Sequence, residues 1–134
     1  MRRALAAAVA AGLCSAPVAA EAAGRPSVVA EAARHLGQGD FTGRPGAWCA
    51  WFVSWVLTAT GHRPLPSGMA ASALGYGPHL REPLPGAIVV MRGHVGLVES
   101  VGADGTISMI SGNWGHRVAR ARVSRREVVA FVGV

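Results

Sequence analysis

The chain has 134 residues, the size of one domain or of one domain with a leader. Hydrophobic residues make up 51% and charged residues 15%, which excludes a disordered chain because such chains are poor in apolar residues and rich in charge. The formal net charge is +6 and every basic side chain is Arg, which is compatible with anionic partners but does not choose among them.

The first residues have the order of features found in secretory signal peptides. Arg2 and Arg3 form a positive start, residues 4–13 are apolar and Ala-rich, and the small residues 18–20 offer a cleavage site. We therefore predict a signal peptide over residues 1–20. The alternative is an Ala-rich first helix of the fold. The apolar stretch is too short for a comfortable membrane span, so no stable membrane insertion is expected.

Cleavage would leave a mature domain over residues 21–134 with a single cysteine, Cys49, because Cys14 lies in the leader. A lipid anchor at Cys14 is disfavoured by Leu13, since lipoprotein signals carry a small residue at that place. Exported domains use cysteines in disulfide pairs. A lone cysteine in that compartment is therefore a free thiol, an intermolecular partner or a nucleophile.

The first half of the mature chain shows helical patterns. Ser27 is a suitable N-cap for a helix over residues 28–36, in which the apolar residues form one stripe. Residues 48–60 are apolar nearly all round and are followed by Gly61, which predicts a buried central helix. Residues 69–74 are compatible with a further short helix.

The second half changes to β-type patterns, after an irregular stretch over residues 75–85. The pair Asp104-Gly105 is a strong hairpin turn signal between two of these runs. The predicted strands cover residues 87–91, 94–99, 106–110, 117–123 and 128–132. Helices followed by an antiparallel meander indicate the α+β class rather than a parallel α/β fold.

Cys49 lies at the predicted start of the central helix. Backbone N–H groups there have no intrahelical partner, and the helix dipole adds partial positive charge, so both favour a reactive thiolate. The same N–H groups can bind the oxyanion of an acyl-transfer intermediate. Position alone leaves the alternative of a small buried apolar side chain.

A cysteine nucleophile needs a base within hydrogen-bond reach. His94 begins a predicted strand directly after a Gly turn, so its ring can project from the sheet towards a helix terminus. An exposed histidine at a strand start is the alternative. The remaining histidines fall at helix ends or in loops and are expected to be structural or solvated: His35, His62, His79 and His116.

Taken together, several segments resemble the CHAP family of cysteine, histidine-dependent amidohydrolases/peptidases, which cut bacterial cell-wall peptide and are related to the NlpC-like endopeptidases. The segments that carry this resemblance are residues 48–53, 85–91, 93–99, 104–107 and 112–114. The resemblance covers the mature chain and implies a papain-like core, with the N-terminal helices packed on the antiparallel sheet.

The resemblance assigns roles to three residues. Cys49 matches the nucleophile, His94 the general base, and Asn113 an amide that orients the imidazole. Many family members carry an acidic residue two places before that Asn, where this chain has Ser111. Glu99 is the other nearby acid, but alternation along the strand places it on the face opposite His94.

The remaining polar and aromatic features are weaker signals. Trp114 adjoins Asn113 and is predicted to line the substrate cleft, and Ala87 stands where the family often has a turn Asp. The arginines of the C-terminal part are most simply a solvated face, with contact to anionic wall or membrane groups as the alternative: Arg117, Arg120, Arg122, Arg125 and Arg126. No nucleic-acid motif accompanies them, and no Cys/His spacing suggests a metal site.

The resemblance thus implies a secreted or periplasmic, wall-associated hydrolase that cleaves amide bonds of peptidoglycan as amidase or endopeptidase. We expect a monomer that needs no cofactor and binds no nucleic acid. Two alternatives stay open. One is a non-catalytic wall-binding module on the same scaffold, which the missing acid at Ser111 allows, and the other is a wall-degrading toxin.

Overall fold

A computed structural model describes residues 27–134; the predicted signal peptide and Cys14 lie outside them. The described residues form an α+β fold, which confirms the predicted class. The helices are α1 (Val28–Arg34), α2 (Cys49–Ala59) and two 3₁₀ helices (Ala70–Gly75 and Arg125–Glu127). The strands are β1 (His79–Leu80), β2 (Ile88–Met91), β3 (His94–Val101), β4 (Ile107–Ser111), β5 (Ala119–Val123) and β6 (Val128–Val132).

Helix α1 begins as its sequence predicts. The Ser27 hydroxyl accepts a hydrogen bond from the Ala30 N–H at 3.0 Å, which satisfies one of the otherwise free donors of the first turn. The helix ends at Arg34, two residues earlier than expected, with His35 as its C-cap. The Nε2 of His35 lies 3.1 Å from Glu31, so this histidine has the structural role predicted for it.

Helix α2 is buried along most of its length, but not all round. Phe52, Val53 and Val56 are fully buried, whereas Trp55 is 48% exposed and packs edge-on against Phe41 at 5.3 Å. The apolar pattern predicted burial on every side, but the sheet covers one side of the helix and loops only part of the other. No helix within residues 27–134 is long and apolar enough to cross a bilayer.

The six strands form one antiparallel sheet in the order β1-β6-β2-β3-β4-β5. Strands β2 to β5 follow one another as a meander, as predicted. Strand β6 instead returns to pair with β2, and β1, in a stretch that the sequence indicated to be irregular, pairs with β6. A strand of two residues next to Pro78 is too short to leave an alternating pattern, so this edge was not predictable from the sequence.

The sheet buries both of its faces. One face packs against α1 and α2 in a cluster that includes Cys49, Val95 and Ile110. The other face forms a second cluster that contains no residue of α1 or α2 and extends from Val123 of β5 to Phe131 of β6.

Candidate active site

Cys49 is the first residue of α2 and a free cysteine that is 4% exposed. The preceding Trp48 is the N-cap, and its side chain makes no capping hydrogen bond. The Trp48 side chain therefore occupies none of the free N–H groups of the first turn, and these groups can bind a ligand. A thiol and a set of backbone donors thus lie together at the start of one helix.

The start of α2 is held against the end of β4 at Gly112. A Cβ atom placed on Gly112 would lie 2.5 Å from Phe52 Cβ and 2.8 Å from Trp48 Cζ3, so a residue without a side chain is required here. Gly112 immediately follows Ser111, the last residue of β4. The close approach therefore brings the Cys49 end of the helix to the same end of the sheet at which β4 finishes.

His94 opens β3 at this end of the sheet and is half-buried. Its Nε2 makes a short hydrogen bond with the Oγ of Ser111, a residue that is fully buried. The Trp114 ring packs edge-on against the imidazole, with 5.1 Å between the ring centroids. Burial lowers the pKa of His94 below its usual range, which favours the neutral ring that a general base requires.

A β-bulge places Ser111 beside His94. Val101 pairs with Ile107 and Ser100 with Ser108, but beyond the bulge Val98 pairs with Met109. Because side chains alternate along a strand, this shift by one residue moves each β4 side chain beyond the bulge to the opposite face relative to β3. Continued past Met109, the shifted register puts Ser111 opposite Gly96, on the face that also carries His94.

Gly96 provides the space that Ser111 needs. A Cβ atom on Gly96 would lie 2.9 Å from Ser111 Cβ and 3.1 Å from the Ile110 carbonyl oxygen. Real Cβ atoms do not approach each other that closely. The absence of a side chain at this position thus allows the hydroxyl of Ser111 to reach the imidazole.

Asn113, the predicted orienting amide, makes no side-chain hydrogen bond to His94 in the described residues. Its backbone has φ 56°, in the left-handed region where Asn is among the favoured residues. Among residues 27–134, no hydrogen bond involves its side chain. The backbone turn explains why an Asn stands here, and its role towards the imidazole stays a prediction.

Cys49 and His94 both lie at this end of the sheet, but Cys49 packs in the cluster of Val95, whereas alternation along β3 puts His94 on the opposite face. No hydrogen bond joins the two side chains in the described part of the chain. Their connection runs through neighbours: Trp48 contacts Gly112, and the residue before Gly112 binds the imidazole. Trp114, predicted to line the cleft, is 38% exposed beside His94.

Glu99 is kept away from the imidazole, as alternation along the strand predicts. Its carboxylate accepts hydrogen bonds from the Arg120 guanidinium at 2.8 and 3.0 Å and from the Ser108 hydroxyl at 3.1 Å. The hydrogen bond from Arg120 is the largest cause of a lowered pKa of Glu99. Ser108 lies on the opposite face of β4 from Ser111, so this acid does not belong to the His94 cluster.

The arginines near the C-terminus are exposed, and two of them are paired. Arg120 bridges to Glu99 and Arg125 to Glu82. Within residues 27–134, no group of three or more His, Cys, Asp or Glu side chains is arranged to hold a metal ion.

Comparison with models of known protein families matches residues 40–113 to the CHAP domain, over more than half of the chain. The chain belongs to the CHAP domain family. The match contains Cys49, His94, Ser111 and Asn113, and membership points to peptidoglycan hydrolysis of the amidase or peptidase type. No curated protein matches the chain.

The sequence left Asn113, Ser111 and Glu99 open as the partner of His94 and favoured Asn113. In the structure, Ser111 is the residue that hydrogen-bonds His94. A serine at the end of a strand carries no signal of its own. Only the register of β3 and β4 would have revealed the contact, and that register depends on the bulge.

Proposed function

We propose that this protein is an exported cysteine hydrolase that cleaves amide bonds of bacterial peptidoglycan, with Cys49 as nucleophile and His94 as general base. The observation that carries this proposal is the position of a free thiol at the start of α2, held by Gly112 against the strand end that binds His94. Family membership supplies the substrate class. Export is proposed from the leader pattern, which is typical of proteins delivered to the periplasm or to the outside of the cell.

The reaction begins with transfer of the thiol proton from Cys49 to the imidazole of His94. The thiolate attacks the carbonyl carbon of the scissile amide, and the N–H groups of the first turn of α2 bind the oxyanion that forms. The carbon–nitrogen bond then breaks, and His94 gives its proton to the leaving amine. Water, activated by His94, hydrolyses the thioester, which releases a carboxylic acid and restores the thiol.

The absence of a direct Cys49–His94 hydrogen bond is compatible with this series of reaction steps. In enzymes without substrate, catalytic hydrogen bonds are often long and shorten only when the reacting complex forms. Trp114 flanks the imidazole and remains partly exposed, so its ring is placed to contact a substrate that approaches His94.

The experiment is digestion of purified peptidoglycan by the wild type, Cys49→Ser, His94→Ala and a control, His62→Ala, which changes an exposed loop histidine. Mass spectrometry of the released fragments identifies the bond that is cut. We expect fragments from the wild type and the control, none from Cys49→Ser, and a loss of at least about 10²-fold for His94→Ala. Circular dichroism checks that each variant is folded.

Wild-type activity that survives in Cys49→Ser would refute the mechanism. A wild type that binds peptidoglycan without releasing fragments would refute hydrolysis and support the wall-binding module instead. Retained activity in His94→Ala would remove the Cys–His pair. The intact mass of the exported protein should correspond to a start near Glu21, and a full-length chain in the cytoplasm would refute export.

A further inference from the structure

We propose that the Ser111 hydroxyl is the positioning group of this site and holds the neutral His94 ring as the Nε2–H tautomer, which leaves Nδ1 as the base. The proposal rests on the proposed function for its catalytic meaning, but the tautomer itself is a property of the folded chain. Ser111 acts through His94 and does not touch the substrate.

The first step of the argument is the surroundings of the hydroxyl. Ser111 has no exposed surface, and its Oγ has two polar neighbours: His94 Nε2, and the Gly112 carbonyl oxygen at 3.1 Å. A carbonyl oxygen can only accept a hydrogen bond, and a serine hydroxyl has one proton to donate. Both contacts are hydrogen bonds only when that proton goes to Gly112 and the ring donates to the Ser111 oxygen, as the geometry of the Gly112 contact allows.

The second step is the proton on the imidazole. With its own proton used, the Ser111 oxygen can offer His94 only a lone pair, so Nε2 must carry the hydrogen. A neutral imidazole has one N–H, and Nδ1 is then left with the free lone pair. The nitrogen not held by the sheet is thus the one able to take a proton from a thiol.

The third step is the rigidity of the pair. Gly96 lies against the Ser111 backbone so closely that the serine cannot move towards β3, and the Trp114 ring packs on the imidazole. A side chain held on both sides loses little freedom when it forms a hydrogen bond, which makes the orientation reproducible. An uncharged oxygen here orients the ring without adding a negative charge next to it.

The test is a long-range nitrogen–proton NMR spectrum of the full chain with ¹⁵N-labelled histidine at about pH 8, where imidazoles are neutral. The His94 signals are assigned by their absence in His94→Ala. We expect the Nε2–H pattern in the wild type and in the control Ser108→Ala, which removes a hydroxyl of the same strand that binds Glu99 instead. Ser111→Ala should lose the single pattern and give a mixture of tautomers.

An Nδ1–H pattern in the wild type would overturn the proposal without any variant, so a poorly folded Ser111→Ala would not leave it undecided. Ser111→Ala that keeps the wild-type tautomer would overturn it as well. Hydrolysis should fall roughly 10²-fold in Ser111→Ala because the ring is misplaced. Failure of the proposed function appears differently, as an absence of fragments from the wild type with the Nε2–H pattern intact.

Discussion

Replacing Gly112 by Ala places a methyl group between the end of β4 and the start of α2. The new Cβ would lie 2.5 Å from Phe52 Cβ, 2.9 Å from Phe52 Cγ and 2.8 Å from Trp48 Cζ3. Carbon atoms in good contact are about 3.5–4.0 Å apart, so the strand and the helix must separate by about 1 Å. Phe52 is fully buried and its Cβ is attached directly to the helix backbone, so no side-chain rotation relieves the contact.

The separation should affect stability and activity together. Overpacking of a core typically costs about 1–3 kcal/mol of the free energy of unfolding. For a domain of about 100 residues, each kcal/mol lowers the Tm by roughly 4–8 °C. The movement also separates the Cys49 helix end from the strand that binds His94, and a displacement of about 1 Å between reacting groups costs on the order of 10²-fold in rate.

The assay is thermal unfolding followed by circular dichroism, together with fragment release from peptidoglycan at equal folded concentration. The matched control is Gly39→Ala, since a Cβ at Gly39 meets nothing within 4 Å. We expect wild-type behaviour from the control. Unchanged Tm and activity in Gly112→Ala would show that α2 and β4 are not held together at this point, and the argument for a common site would fail.

Three further predictions concern the imidazole and its neighbours. The base must be neutral, so kcat/KM falls as the pH drops through the pKa of His94; because burial lowers that pKa, the acid limb should lie below the ordinary value of about 6.5. In Ser111→Asp, a carboxylate beside the ring should raise the pKa of His94 and move the limb upward by about 1–3 pH units, and a limb at the wild-type pH would contradict this. Asn113→Gly removes the amide but tolerates the positive φ, so activity should stay within a few-fold of the wild type. A loss of about 10-fold to 10²-fold would support the orienting role predicted for the amide.

The same lowered pKa gives stability a defined pH dependence. The unfolded chain takes up a proton at His94 near pH 6.5, whereas the folded chain does so only at lower pH. Between these two values the unfolded state binds more protons, so this group makes the fold less stable as the pH falls and has no such effect above the unfolded pKa.

The helices and most strands were predictable because their signals are local. The capping hydroxyl of Ser27 indicates the start of α1. Asp104 indicates the turn between β3 and β4, and its carboxylate accepts a hydrogen bond from the Thr106 N–H at 3.0 Å. The position of β6 was not predictable in the same way. Its apolar residues indicate a strand, but whether it adds to β5 or returns to β2 depends on contacts between distant parts of the chain.

Only the part of the site that carries local signals was predictable. Cys49 and His94 carry local signals: a helix start for the first, and a strand start after a Gly turn for the second. The partner of the imidazole depends on the register between β3 and β4. Without the bulge, Ser111 would lie opposite Leu97 and therefore on the other face of the sheet from His94, and no local pattern announces a single inserted residue.

The return of β6 to the interior of the sheet determines when the fold can be completed during synthesis. Strand β6 lies between β1 and β2, and β1 has no other neighbour in the strand order. Until residues 128–132 have left the ribosome, β2 presents an unpaired edge, and such edges invite pairing with other chains. The last strand also joins residues far apart in sequence, which slows folding. A growing chain thus stays without its complete sheet until β6 has been made.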